Sequence, residues 1–181
     1  MIRIIPNAQG QIHRVSLLLA ALWGVMLASP QLTSAESESE EGVKYRDWTR
    51  RCETIGEAET ETCYISQNLV LRESGKRLLN VAVGYLEPVT PKKPRGVITL
   101  PLGISLPPGI TVRVDKGKTR QFPVERCNNN GCIVAFTLSP ELLASMKAGL
   151  QAQITFYDSK RQAIGVPVSL RGFTAGFNSL Q

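Results

Sequence analysis

What this chain lacks narrows its chemistry first. Histidine occurs once, at His13. Beyond the N-terminal stretch there is therefore no imidazole for general base work, for a Ser-His-Asp arrangement or for an ordinary histidine metal site. Neither a G-x-x-x-x-G-K-[ST] loop nor a G-x-G-x-x-G turn is present. Ser66, Ser105 and Ser169 stand outside any G-x-S-x-G setting. Aromatic residues are 6% of the chain and do not cluster, which disfavours nucleic acid, whose bases stack on aromatic platforms. The C-x-x-C knuckles of a structural zinc site are missing as well. The expectation is a protein without catalytic motif, cofactor or metal.

What is there begins with an export signal. Met1 to Arg14 carries Arg3, His13 and Arg14 and no acid, and Val15 to Ala28 (VSLLLAALWGVMLA) is apolar. Ser29-Pro30 breaks the run and Thr33-Ser34-Ala35 offers small residues for cleavage. These are the three parts of a secretory signal peptide, here 1–35. The apolar core is shorter than the roughly 20 residues of a spanning helix, and no Cys follows it for a lipid anchor. Loss of Arg3 and Arg14 lowers the formal charge from +6 to +4. Residues 36–43, opening ESESEEG, form an acidic, solvated leader. Residues 44–181 form one domain, long enough for its own core.

The four cysteines, Cys52, Cys63, Cys127 and Cys132, are an even set in a chain bound for an oxidising compartment. Three connectivities are open. The local pairing, Cys52–Cys63 with Cys127–Cys132, is preferred because each pair brackets a polar connection.

Along the domain, apolar residues recur with the period of two that marks half-buried strands. Strands are expected at Tyr45–Cys52, Cys63–Leu71, 79–85, Val97–Leu100, 110–115, Thr119–Arg126, Ile133–Leu138, 150–157 and 164–170, with turns at 73–76, 115–118 and 158–161. Glu87 to Gly96 holds three prolines and is read as irregular. Pro101 to Gly109 is apolar yet rich in proline and glycine, which suits a bent edge or a crossover between sheets. Asn130-Gly131 signals a hairpin between Cys127 and Cys132. Ser139-Pro140-Glu141 opens one short helix that ends at Gly149. Residues 172–181 have no clear period. About eight or nine short strands and one short helix make an all-β chain with a β-sandwich pattern.

Two basic groups are candidate anion-binding residues: Lys92, Lys93 and Arg95 in the proline loop, and Lys116, Lys118 and Arg120 around a turn. Leu102, Ile104 and Leu106 are candidates for an exposed apolar interface. The acids Glu73, Glu87, Asp115, Glu125, Glu141 and Asp158 fall at expected turns or helix starts, where solvation and capping account for them.

These residues resemble the invasion-associated locus B family of bacterial envelope proteins. The resemblance runs through DWTRRC (47–52), LPLGISLPPG (100–109), Cys127 to Cys132, LLASMKAG (142–149) and PVSLRGFTAGF (167–177). It implies an immunoglobulin-like β-sandwich in the periplasm or associated with the outer membrane. The family is named for bacteria that enter host cells, and it carries no catalytic motif to transfer.

The resulting expectation is an exported, non-enzymatic binding or adhesion module in host-cell interaction or envelope association. Its partner would be an envelope or host-surface protein or an anionic glycan, not nucleic acid, and the mature chain would not be an integral membrane protein. Two alternatives remain: an accessory subunit of an envelope assembly, marked by an apolar patch, and a hydrolase, which would need a carboxylate pair in a cleft.

Overall fold

A computed structural model describes residues 42–54, 61–86 and 93–181. The expected signal peptide, residues 36–41 of the leader and Lys92 lie outside them.

The chain forms β1 (Val43–Tyr45), β2 (Trp48–Thr54), β3 (Glu61–Val70), β4 (Arg77–Gly84), β5 (Arg95–Leu100), β6 (Ile110–Val114), β7 (Arg120–Phe122), β8 (Arg126–Asn128) and β9 (Gly131–Thr137). Helix α1 (Pro140–Ala148), β10 (Gln151–Tyr157), β11 (Ala163–Ser169) and helix α2 (Phe173–Asn178) follow. The strands pair in two antiparallel sheets, a seven-stranded one of order β1-β2-β3-β4-β5-β9-β8 and a four-stranded one of order β11-β10-β6-β7. This is the β-sandwich expected from the alternating pattern.

The alternation decides which side chains meet. Leu79, Val81 and Val83 of β4, Ile98 and Leu100 of β5 and Val134 of β9 are buried from one sheet. Ile110, Val112 and Val114 of β6, Ala152, Ile154 and Phe156 of β10, and Val166 and Val168 of β11 are buried from the other. All belong to one core cluster, as inner faces of packed sheets do.

Several expected elements are corrected. The strand foreseen over Tyr45–Cys52 is broken by a turn at Arg46-Asp47, where Arg46 takes a left-handed φ of 57°. The strand foreseen over Thr119–Arg126 is two strands in different sheets. Pro123 has no N–H for a ladder, so β7 stops at Phe122 and the chain crosses to start β8. Arg95 and Gly96, placed in the irregular proline loop, open β5, because Pro94 precedes the ladder and its carbonyl accepts from Leu138 N at 2.9 Å. The crossover expected at Pro101 to Gly109 is present: it carries the chain from β5 in one sheet to β6 in the other, tied to the second by an isolated bridge between Ile104 and Asp158.

Helix α1 follows its sequence signals. Ser139 Oγ accepts from Leu142 N at 3.2 Å, Pro140 fills the first turn, and Gly149 caps the end with its N–H on Ser145 O. Gly149 is extended rather than left-handed, with φ −81°. A Cβ there would meet Val114 Cγ1 at 2.5 Å, so close packing explains the glycine.

The one-helix expectation is also corrected, since the Gly-Phe tail forms α2. Phe173 and Phe177 are buried. The Phe173 ring meets Trp48 edge to face, centroids 5.2 Å apart, and Phe177 packs against Tyr85 at 5.8 Å. Gly176 lies against Ile65, where a Cβ would come within 3.1 Å of Ile65 Cγ2. The helix seals its aromatics against the sheet; no periodicity in six residues could show this.

Both disulfides join directly opposed residues of neighbouring strands: Cys52–Cys63 across β2 and β3, and Cys127–Cys132 across β8 and β9. The local connectivity holds, and among the described residues no cysteine is free.

Candidate functional site

The site is built around β7, an edge strand paired only with β6. The turn that leads into it begins at Asp115, in a left-handed conformation with φ 45°. Its carboxylate accepts from Leu150 N at 3.1 Å and Gln151 N at 3.0 Å. That anchorage fixes the turn against the start of β10 and leaves Lys116 and Lys118 exposed. Arg120, in β7, is half-buried.

Between β7 and the junction of β9 with α1 lies an open groove of about 440 Å3, lined by Lys118, Thr119, Arg120, Gln121, Phe122, Thr137, Ser139 and Leu142. Phe122 stacks on Phe136 with centroids 4.1 Å apart, and Leu142 is buried in the core. The floor is therefore apolar and fixed, while the rim carries two cations and three hydroxyls.

Of the anion-binding candidates, Lys118 and Arg120 line this groove. Arg95 stands opposite Thr137 in the β5–β9 ladder, so the two side chains share one face of the sheet, but Arg95 does not line the groove. Lys93 is exposed two residues before it, and Lys116 stays out on the turn. Thr119, Thr137 and Ser139 were not identified as site residues. Ser139 carried only a capping signal, and Thr137 joins the site through long-range pairing.

One acid stands at the rim. The Glu141 carboxyl is held below its usual range, first by a hydrogen bond from the Ser139 side chain, then by backbone hydrogen bonding, with a smaller contribution from the positive charge of Arg120. An incoming anion thus meets Arg120 with Glu141 close by.

The apolar candidates divide. Leu102 and Leu106 are 57% and 46% exposed. Ile104 is corrected: it is half-buried against the core, because the bridge to Asp158 turns it inward. The Glu61 carboxylate approaches the sulfurs of Cys52 and Cys63, but those sulfurs are joined in a disulfide and offer no thiolate to a metal.

Fold and groove together define a disulfide-stapled β-sandwich with a cationic groove along a short edge strand. Among the described residues, no helix is long and apolar enough to cross a membrane. The family model of the invasion associated locus B (IalB) protein matches residues 48–181, and the chain belongs to that family. An invasion protein B homolog of Brucella abortus strain 2308 is 26% identical over 138 residues, covering 76% of this chain and 77% of the relative. A homolog from Brucella abortus biovar 1 matches to the same extent. The crystal structure of invasion associated protein b from Bartonella henselae superposes with a TM-score of 0.67 at 22% identity, covering 76% of this chain and 92% of that one, and it shares the fold.

Proposed function

We propose that this protein is an exported, non-enzymatic binding module of the bacterial envelope. Its β7–α1 groove takes sulfate- or phosphate-bearing polymer from the envelope or a host surface. The observation that carries this reading is the placement of Lys118 and Arg120 beside the hydroxyls of Thr119, Thr137 and Ser139 over an apolar floor. Cations supply attraction and the threonine hydroxyls supply donors to anionic oxygens, while the Ser139 hydroxyl is spent on Glu141. The names of the Brucella and Bartonella relatives, invasion proteins, favour a surface role.

The carboxylates favour binding over hydrolysis. Asp115 accepts backbone N–H groups of β10, Asp158 Oδ1 accepts Lys160 N and Gln162 N at 2.8 Å, and Asp47 accepts Ser169 Oγ. Each is spent on holding the backbone or a neighbouring side chain in place.

The test is elution from an immobilised sulfated glycan across a salt gradient. Retention that falls in Lys118→Gln/Arg120→Gln, with an unchanged far-ultraviolet spectrum, supports the reading. Retention that is absent in the native chain or unaltered in the variant overturns it.

A further inference from the structure

A second surface lies at one end of the sandwich, where strand register gathers four connections. Val70 pairs with Arg77 at the β3–β4 turn, Asn80 with Thr99, and Leu100 with Cys132. The β3–β4 turn, the start of the crossover at Pro101 and the β8–β9 hairpin therefore share that end. Arg77, Leu78, Leu102, Asn129 and Asn130 line one cleft of about 260 Å3, and Arg77 Nη2 donates to Asn130 O at 3.1 Å. The Ile104–Asp158 bridge, with Ser105 N donating to Tyr157 O at 2.8 Å, brings the β10–β11 turn alongside.

What this end exposes is unusual for a solvated surface. Among the described residues the large exposed apolar side chains are Val43, Val70, Leu71, Leu102, Leu106 and Leu150, and four of these six belong here. They are interleaved with exposed Arg72, Lys76, Arg77, Lys160 and Arg161. The acids of these turns are Glu73 and Asp158, and Asp158 is turned onto the backbone of its own turn. Apolar side chains at turn tips, ringed by long cations, match a bilayer surface. The apolar tips enter the acyl boundary while lysine and arginine stay among the phosphates. A flat protein interface would instead collect its apolar residues in a continuous patch.

We infer that this end docks on an anionic phospholipid surface, with Leu71 and Leu102 inserting and Arg72, Lys76, Lys160 and Arg161 pairing with headgroup phosphates. The docked chain would hold the β7–α1 groove away from the bilayer, because Arg120 and Thr137 lie at the opposite ends of β7 and β9.

The experiment measures partition of the full chain onto vesicles of phosphatidylcholine with about 30% phosphatidylglycerol, against phosphatidylcholine alone. The expected result is phosphatidylglycerol-dependent binding that weakens about five-fold for each of Arg72→Gln and Lys76→Gln. It weakens about ten-fold for Leu102→Ser, through lost apolar transfer, and is unchanged in Lys118→Gln/Arg120→Gln. A local readout excludes attachment by the N-terminal segment: in Leu102→Trp, the added emission shifts to the blue and is quenched by brominated lipid. No binding overturns the inference. So does equal binding by Leu102→Ser, a tryptophan at 102 that stays unquenched, or loss in the groove variant, which would move the anion site to β7.

Discussion

Trp48 donates its indole N–H to the Ser169 carbonyl at 2.9 Å, joining residues 121 positions apart and one sheet to the other. Gln67 completes the junction: its Nε2 reaches Asp47 O at 2.8 Å, and its Oε1 accepts from Ser169 N at 3.2 Å. Two of the stretches that carry the family resemblance, DWTRRC and PVSLRGFTAGF, thus meet as one latch. Their shared role is structural, closing the sandwich around fully buried Trp48.

The latch predicts a graded loss on substitution. Trp48→Phe keeps most of the ring but leaves the Ser169 carbonyl without its indole donor, for a cost of about 1–2 kcal/mol. Trp48→Ala also empties the space against Phe173, for about 3–5 kcal/mol. Urea unfolding of both variants measures the difference, and equal costs would contradict the latch.

Gly172 begins α2 with φ 87°, and a Cβ there would meet Tyr45 O at 1.9 Å. Gly75 has φ 64° but nothing within 4 Å. Gly75→Ala should cost about 1 kcal/mol, the left-handed backbone alone. Gly172→Ala should cost at least about 2–3 kcal/mol, since β1 or α2 must also move. Thermal melts of the pair separate backbone strain from steric conflict.

The disulfides should differ in weight. They close loops with sequence separations of 11 and 5, for which the chain-entropy model gives about 3 and about 2 kcal/mol. Replacing each pair by alanine and comparing unfolding midpoints tests the order. The Cys127/Cys132 variant also loses packing, because Cys132 is 2% exposed, and it can close the gap by that route.

Alkaline pH should report on Tyr64. Its hydroxyl donates to the Glu53 carboxylate. Burial first, then that hydrogen bond and the Glu53 charge, push its pKa from 10.0 up to about 12. A pKa raised on folding means the contribution to stability is fully present below pH 10.0 and is lost as pH rises toward about 12. Ultraviolet titration should find one tyrosine ionising near that value. Glu53→Gln should move it down, because the carboxylate charge and its hydrogen bond both favour the neutral phenol.

Much of this architecture was legible because it is local. Ile110, Val112 and Val114 alternate on one strand, Ser139-Pro140-Glu141 caps a helix, and each cysteine pair flanks a short connection, so neighbours along the chain carry the signal. The cations of the candidate groove were legible for the same reason: Lys118 and Arg120 flank a turn that the sequence marks. Thr137 and Ser139 were not, since only the fold brings the end of β9 and the start of α1 beside β7.

The sequence alone therefore determined the class of fold, the core-facing residues of most strands and the helix start, and it favoured the disulfide pairing that the structure shows. Each follows from backbone periodicity, capping or short loop closure. Only the tertiary structure decided that one apparent strand divides at Pro123 between two sheets, that the Gly-Phe tail is a helix sealed onto Trp48, and that Ile104 turns inward while Leu102 does not. Those outcomes depend on contacts between residues far apart in the chain, such as Trp48 with Ser169. Their free energy exists only once both sheets are in place.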